Sequence, residues 1–158
     1  MVVRRSPRAS PVVTGGTRGV MIARAFATWT LLVVLAVLNG GARNAFLTPH
    51  WGEPSGHVLS TLILCLVIFS VAWAFIRWIH PGGPRDALLV GLFWVALTVA
   101  FEFLAGHYLF GHSWQKLLAD YELAQGRIWV LVLLANFAAP QWAAWTRGKP
   151  RMANPGSR

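Results

Sequence analysis

Four long apolar stretches divide this chain of 158 residues into polar connections and two polar ends. A helix needs about 20 mostly apolar residues to cross the ~30 Å hydrocarbon core of a bilayer. Stretches at about 25–46, 57–79, 86–106 and 127–146 meet that length. The charges are sorted by these stretches. Of fourteen Lys and Arg, only Arg43, Lys116 and Arg127 lie in the first and third connections. The others lie in the two ends, beside them, or around the middle connection. Glu53, Glu102, Asp120 and Glu122 show the opposite preference, and only Asp86 joins the basic side. Basic flanks stay cytoplasmic, so the pattern predicts a four-pass antiparallel helix bundle with both termini in the cytoplasm. The fold class expected is all-α, in one domain.

Composition agrees. Hydrophobic residues make up 56% of the chain and charged ones 12%, far from a soluble average. The +9 formal charge flanks apolar spans and fills the ends, where it orients helices against anionic lipid. No nucleic-acid partner is therefore expected. Cys65 is the only cysteine, which excludes an internal disulfide, a CxxC redox centre and a cysteine-based zinc site.

Residues 1–22 are rich in Arg, Pro, Gly, Ser and Thr and show no apolar period. They read as a disordered basic tail, as do residues 147–158. Met21 is an alternative start, and Arg4-Arg5-Ser6 makes no convincing twin-arginine signal. Span one reads FATWTLLVVLAVL and continues towards Phe46. A rival reading makes it a signal peptide cleaved near Gly40-Gly41-Ala42. The first connection, NGGARNAFLTPHWGEPSG, contains Pro49 and Pro54 and is expected as a series of turns before span two opens at His57. Pro81-Gly82-Gly83-Pro84 predicts a tight turn, which would make spans two and three antiparallel neighbours. Asp86 suits the first turn of span three. Between His107 and Gly126, Trp114, Leu117, Leu118 and Tyr121 recur at helical spacing after a Ser113 cap, as in a short helix lying in the membrane interface. Pro140 should kink span four rather than end it.

The unusual polar residues gather on the side opposite the tails. Glu102 lies about 22 Å along span three at 1.5 Å per residue. An ionisable group at that depth normally faces a bundle or a wet cavity. Gly91, Val95, Thr98 and Glu102 share one face, and Arg43 is the expected partner of Glu102. Asn39 and Arg43 are four residues apart and share a face if span one stays helical, with Asn44 beside them. His57 and His107 open span two and close span three at similar depth, a spacing that suits a bridging metal or haem; no HExxH, HxxEH or CxxCH supports it. Thr61 shares a face with His57 and approaches Glu102 in depth. Glu53 completes the group. Asn136, mid-span in helix four, is expected to bond across helices as structural glue.

The segments AFLTPHWGEPSGHVLSTLIL and FEFLAGHYLFGHSWQKLLADYELAQGRIWVLVLL resemble those of small uncharacterised four-pass proteins of bacterial membranes. The resemblance implies a bacterial cytoplasmic membrane location and the same topology, and carries no chemistry. The reading that follows is a non-enzymatic scaffold or accessory subunit in the lipid bilayer. Its polar cluster would bind another membrane protein, a second copy, a lipid head group or a small ligand. The alternatives are an enzyme acting on lipid or quinone and a haem-binding electron carrier.

Overall fold

A backbone surrounded by apolar side chains must satisfy its own N–H and C=O groups, and the α-helix does so within one segment. The computed structural model describes residues 14–109 and 129–147, and among them it is helical with no strand. Helix α1 spans Thr14–Ala42. It passes through a π-helical segment, Arg43–Leu47, into the single turn α2, Thr48–Trp51. Helix α3 spans Glu53–Ile79 and α4 Pro84–Leu104, with a π-helical extension over Ala105–Leu109. Helix α5 covers Val130–Arg147.

Among the described residues, three helical stretches are long and apolar enough to cross a membrane: Thr17–Trp51, Glu53–Ile79 and Pro84–Leu104. Helix α5 is not among them. It has 18 residues, and its second half carries Pro140, Gln141, Thr146 and Arg147. The helix nevertheless runs through Pro140.

Two boundaries differ from expectation. Helix α1 begins at Thr14, so residues 14–22 extend the helix instead of belonging to a tail. Met21 and Ala25, one turn apart, are both buried in the core, which gives that extension something to pack on. The first connection is helical rather than a set of turns. Pro49 and Pro54 fall in the first turns of α2 and α3, where a missing N–H removes little. Only Gly52, at φ 78°, interrupts the run, in a conformation that disfavours residues with a Cβ. The remaining tail residues and the expected interfacial helix lie outside the described residues.

At the other end of α3, His80 adopts the left-handed conformation at φ 61° and caps the helix by donating its backbone N–H to Ile76 O. Pro84 starts α4. Asp86 accepts a hydrogen bond from Gly82 N at 3.0 Å, so the acid in the first turn also fixes the link. We call this the turn end and the opposite one the open end.

The short link does not make α3 and α4 close neighbours. Helix α5 packs extensively against both, α1 packs on α3, and α1 touches α4 more lightly. Helices α3 and α5 therefore run parallel, side by side. Close contacts choose this order. A Cβ on Gly91 of α4 would stand 2.5 Å from Phe137 O of α5, so these two backbones meet where only glycine fits. Helix α5 also buries Ala135, Ala139 and Ala143, and small residues of this kind let helices approach in an apolar medium. On α3 every fourth residue from Gly56 to Ile76, namely Gly56, Ser60, Leu64, Ile68, Ala72 and Ile76, is buried, a continuous ridge for its neighbours. Asn136 is buried but donates to Val132 O of its own helix at 3.0 Å. The expected cross-helix bond is replaced because that carbonyl, one turn back, has a second lone pair within reach.

Outward faces stay apolar. Leu66, Leu38 and Val37 are 68%, 62% and 60% exposed. Exposed apolar surface on this scale fits hydrocarbon rather than water.

Candidate functional site

Among the described residues, side-chain hydrogen bonds at the open end form two groups. The first joins α1 to α3. Asn39, on the last turns of α1, donates from Nδ2 to Ser60 O at 3.0 Å. One turn on, in the π-helical segment, Arg43 reaches the same face of α3: its Nη1 lies 2.7 Å from His57 Nδ1. Arginine has only donors, so His57 accepts at Nδ1 and any proton on its ring is at Nε2. A doubly protonated imidazole would lose this bond. Arg43 Nε also donates to Asn44 Oδ1 at 3.2 Å. The His57 carbonyl in turn accepts from the hydroxyls of Ser60 and Thr61, at 3.0 and 2.9 Å. Thr61 is thus buried with its hydroxyl committed to its own helix, and does not reach towards Glu102.

The second group joins α4 to the start of α5. Glu102, half-buried on the last turns of α4, accepts at Oε2 from Trp129 Nε1 at 2.6 Å. A short bond to a carboxylate is among the stronger neutral-donor contacts a protein makes. Trp129 is itself tied into the first turn of α5 by Val132 N donating to its carbonyl at 2.9 Å. His107, in the π-helical extension of α4, stacks edge-on against Tyr108 at 4.9 Å between ring centroids. Glu53 is exposed in the first turn of α3.

Of the residues singled out from sequence, Asn39, Arg43, Asn44, His57 and Thr61 meet in one network, and Glu102 belongs to the other. The expected Arg43–Glu102 pair is absent. The hydrogen bonds of Arg43 run to Asn44 and His57, because helical rotation aims its guanidinium at α3 rather than at α4. Among the described residues, both of its acceptors are neutral. Among the described residues, no three His, Cys, Asp or Glu side chains gather to hold a metal ion.

Sequence reasoning missed the tryptophans as donors. Trp29 Nε1 donates to Thr98 Oγ1 at 3.1 Å and Trp94 Nε1 to Ala25 O at 2.9 Å, both between α1 and α4. Interfacial belts and packing account for most membrane tryptophans, so composition alone gave no reason to separate Trp29, Trp94 and Trp129 from the other six. Trp29 and Trp94 carry one signal, a place inward of their span ends; Trp129, third in its span, carries none. No family model, curated protein or solved structure matches the chain.

Proposed function

We propose that the chain is a four-pass protein of the bacterial cytoplasmic membrane, with both termini in the cytoplasm, acting as a small non-enzymatic scaffold or accessory subunit. Helix α5 is its fourth pass, shielded by α3 and α4. The observation that carries the reading is the state of Arg43. A guanidinium at the mouth of an apolar bundle is fixed in place by His57 and Asn44 yet has no carboxylate to neutralise it through those bonds. Such a charge attracts an anionic group, on a partner membrane protein, a second copy or a lipid head group. The hydroxyls of Ser60 and Thr61 are turned back onto α3, so neither is poised as an activated nucleophile, which supports binding over catalysis.

The test is to purify wild-type and Arg43→Gln chains gently into lipid nanodiscs and compare what accompanies them by mass spectrometry. The reading expects a defined protein or anionic lipid with the wild type that is lost from the variant. Identical companions in both would remove the open-end group from the function. Orientation is tested separately in a Cys65→Ala background. His50→Cys should react with an impermeant maleimide in intact cells, and Gly82→Cys only after permeabilisation.

A further inference from the structure

The turn end carries a second polar feature, independent of the open-end group. Between the parallel ends of α3 and α5 lies a cavity of about 320 Å³, lined by Ile76, Arg77, His80, Pro81, Ala144 and Arg147. Two arginines and a histidine therefore face a space at the lower end of the range for small-ligand pockets. Arg147 is already ordered. Its guanidinium stands 3.6 Å from the centroid of Trp73, and its Nη1 reaches Ala74 O at 3.5 Å. Arg77 is exposed, and among the described residues no carboxylate pairs with Arg77, His80 or Arg147. Asp86, in the first turn of α4, does not line the cavity and accepts from Gly82 N. Arg24, also at this end, is committed elsewhere: it donates to Trp78 O at 2.8 Å and lies over the Trp78 ring.

Complementing the helix ends does not exhaust this charge. The C-termini of α3 and α5 each present roughly half a negative charge, about one together, against two full guanidinium charges. The balance favours an anion. Its geometry favours oxygen atoms around one centre, because planar guanidinium groups donate paired N–H groups to phosphate. The level at which the cavity sits indicates the source. Trp73, Trp78, Trp142 and Trp145, from the same two helices, are 43%, 46%, 43% and 65% exposed, and exposed indoles of this kind settle at the head-group level of a bilayer.

We infer that this cavity binds a phosphate ester, and that the ester is the head group of an anionic phospholipid, held by Arg77 and Arg147 with His80 at the rim. The site does not depend on what the open end engages.

The experiment is native mass spectrometry of the full chain, delipidated in dodecyl maltoside and titrated with dioleoylphosphatidylglycerol, dioleoylglycerol or ammonium phosphate. One phosphatidylglycerol should bind per chain with the highest affinity. Arg77→Gln and Arg147→Gln should each weaken that step about tenfold, as expected for losing a charge-assisted hydrogen bond. Arg85→Gln, at the same end outside the cavity, and Arg43→Gln, at the open end, should leave it within about twofold if the site is local. Competition by inorganic phosphate with the same dependence on Arg77 would keep the phosphate site but assign it to a soluble ligand. Equal weakening by Arg85→Gln would reduce the effect to diffuse surface charge and overturn the proposal. Binding of dioleoylglycerol as tight as that of phosphatidylglycerol would overturn it too, as would indifference to Arg77→Gln. Arg77→Gln touches no described contact, so far-UV circular dichroism should confirm an intact fold.

Discussion

The two halves of this molecule are held together by different means. Towards the turn end, burial is continuous: Met21, Ala25, Trp29 and Leu32 of α1, Ala87, Val90, Gly91 and Trp94 of α4, and matching residues of α3 and α5. Packing there is joined by directed bonds from Trp94 to Ala25 O and from Arg24 to Trp78 O. Towards the open end, α1 has no buried residue after Leu32 and α4 none after Trp94. Directed side-chain bonds take over in the same places: Asn39 to Ser60, Arg43 to His57, Glu102 to Trp129. The lesson concerns solvents. Lipid tails compete well with apolar side chains, so helices in an apolar medium associate through close backbone approach or through polar bonds; α1 and α4 combine both towards the turn end and rely on polar bonds towards the open end.

That contrast can be broken. Trp94 is fully buried and donates to Ala25 O, so Trp94→Ala should have the largest effect, a loss of about 3–5 kcal/mol by analogy with large-to-small core changes. Reversible unfolding in mixed micelles would measure it. Gly91→Ala comes next. The added Cβ meets the Phe137 carbonyl, which is backbone and cannot step aside, and a cost of about 1–3 kcal/mol is expected for such overpacking. At the open end the single changes should be smaller. A double-mutant cycle between Arg43→Gln and His57→Phe should return a coupling of about 0.5–1.5 kcal/mol. Asn39→Ala should cost about 0.6 kcal/mol, the usual size of one interhelical hydrogen bond in a membrane protein. If Asn39→Ala destabilised the chain as much as Trp94→Ala, the division into a packed half and a bonded half would be wrong. If Gly91→Ala were neutral, α4 and α5 would not be in contact along that seam.

Periodic and compositional signals revealed the helices because each is a property of one segment. The apolar runs that became α1, α3 and α4, the Pro81–Pro84 link and the first-turn role of Asp86 needed no knowledge of neighbours. What escaped was lateral. The link told the directions of α3 and α4 and not their separation, since four residues can join helices that then diverge around a third. The Gly91–Phe137 approach that settles the order depends on two positions 46 residues apart, neither distinctive alone. The candidate site shows the same limit. The i, i+4 spacings that put Asn39 beside Arg43 and His57 beside Thr61 are properties of single helices. Which helix Arg43 faces depends on the rotation of two helices at once: its guanidinium meets His57, and Glu102 meets Trp129. Asn136 shows the local version: its own preceding turn supplied the acceptor that a neighbouring helix was expected to offer.

The position of α5 between α3 and α4 has a consequence for how the chain is made. During synthesis α3 and α4 emerge first, joined by a link too short to let them drift far apart, yet their mature places are separated by a helix not yet translated. The hairpin must therefore stay open, or reopen, until Val130–Arg147 arrives. Its final step is the entry of a short, comparatively polar helix into a slot prepared by two more apolar ones. A chain halted just before α5 would leave the seam at Gly91 without the Phe137 backbone that fills it.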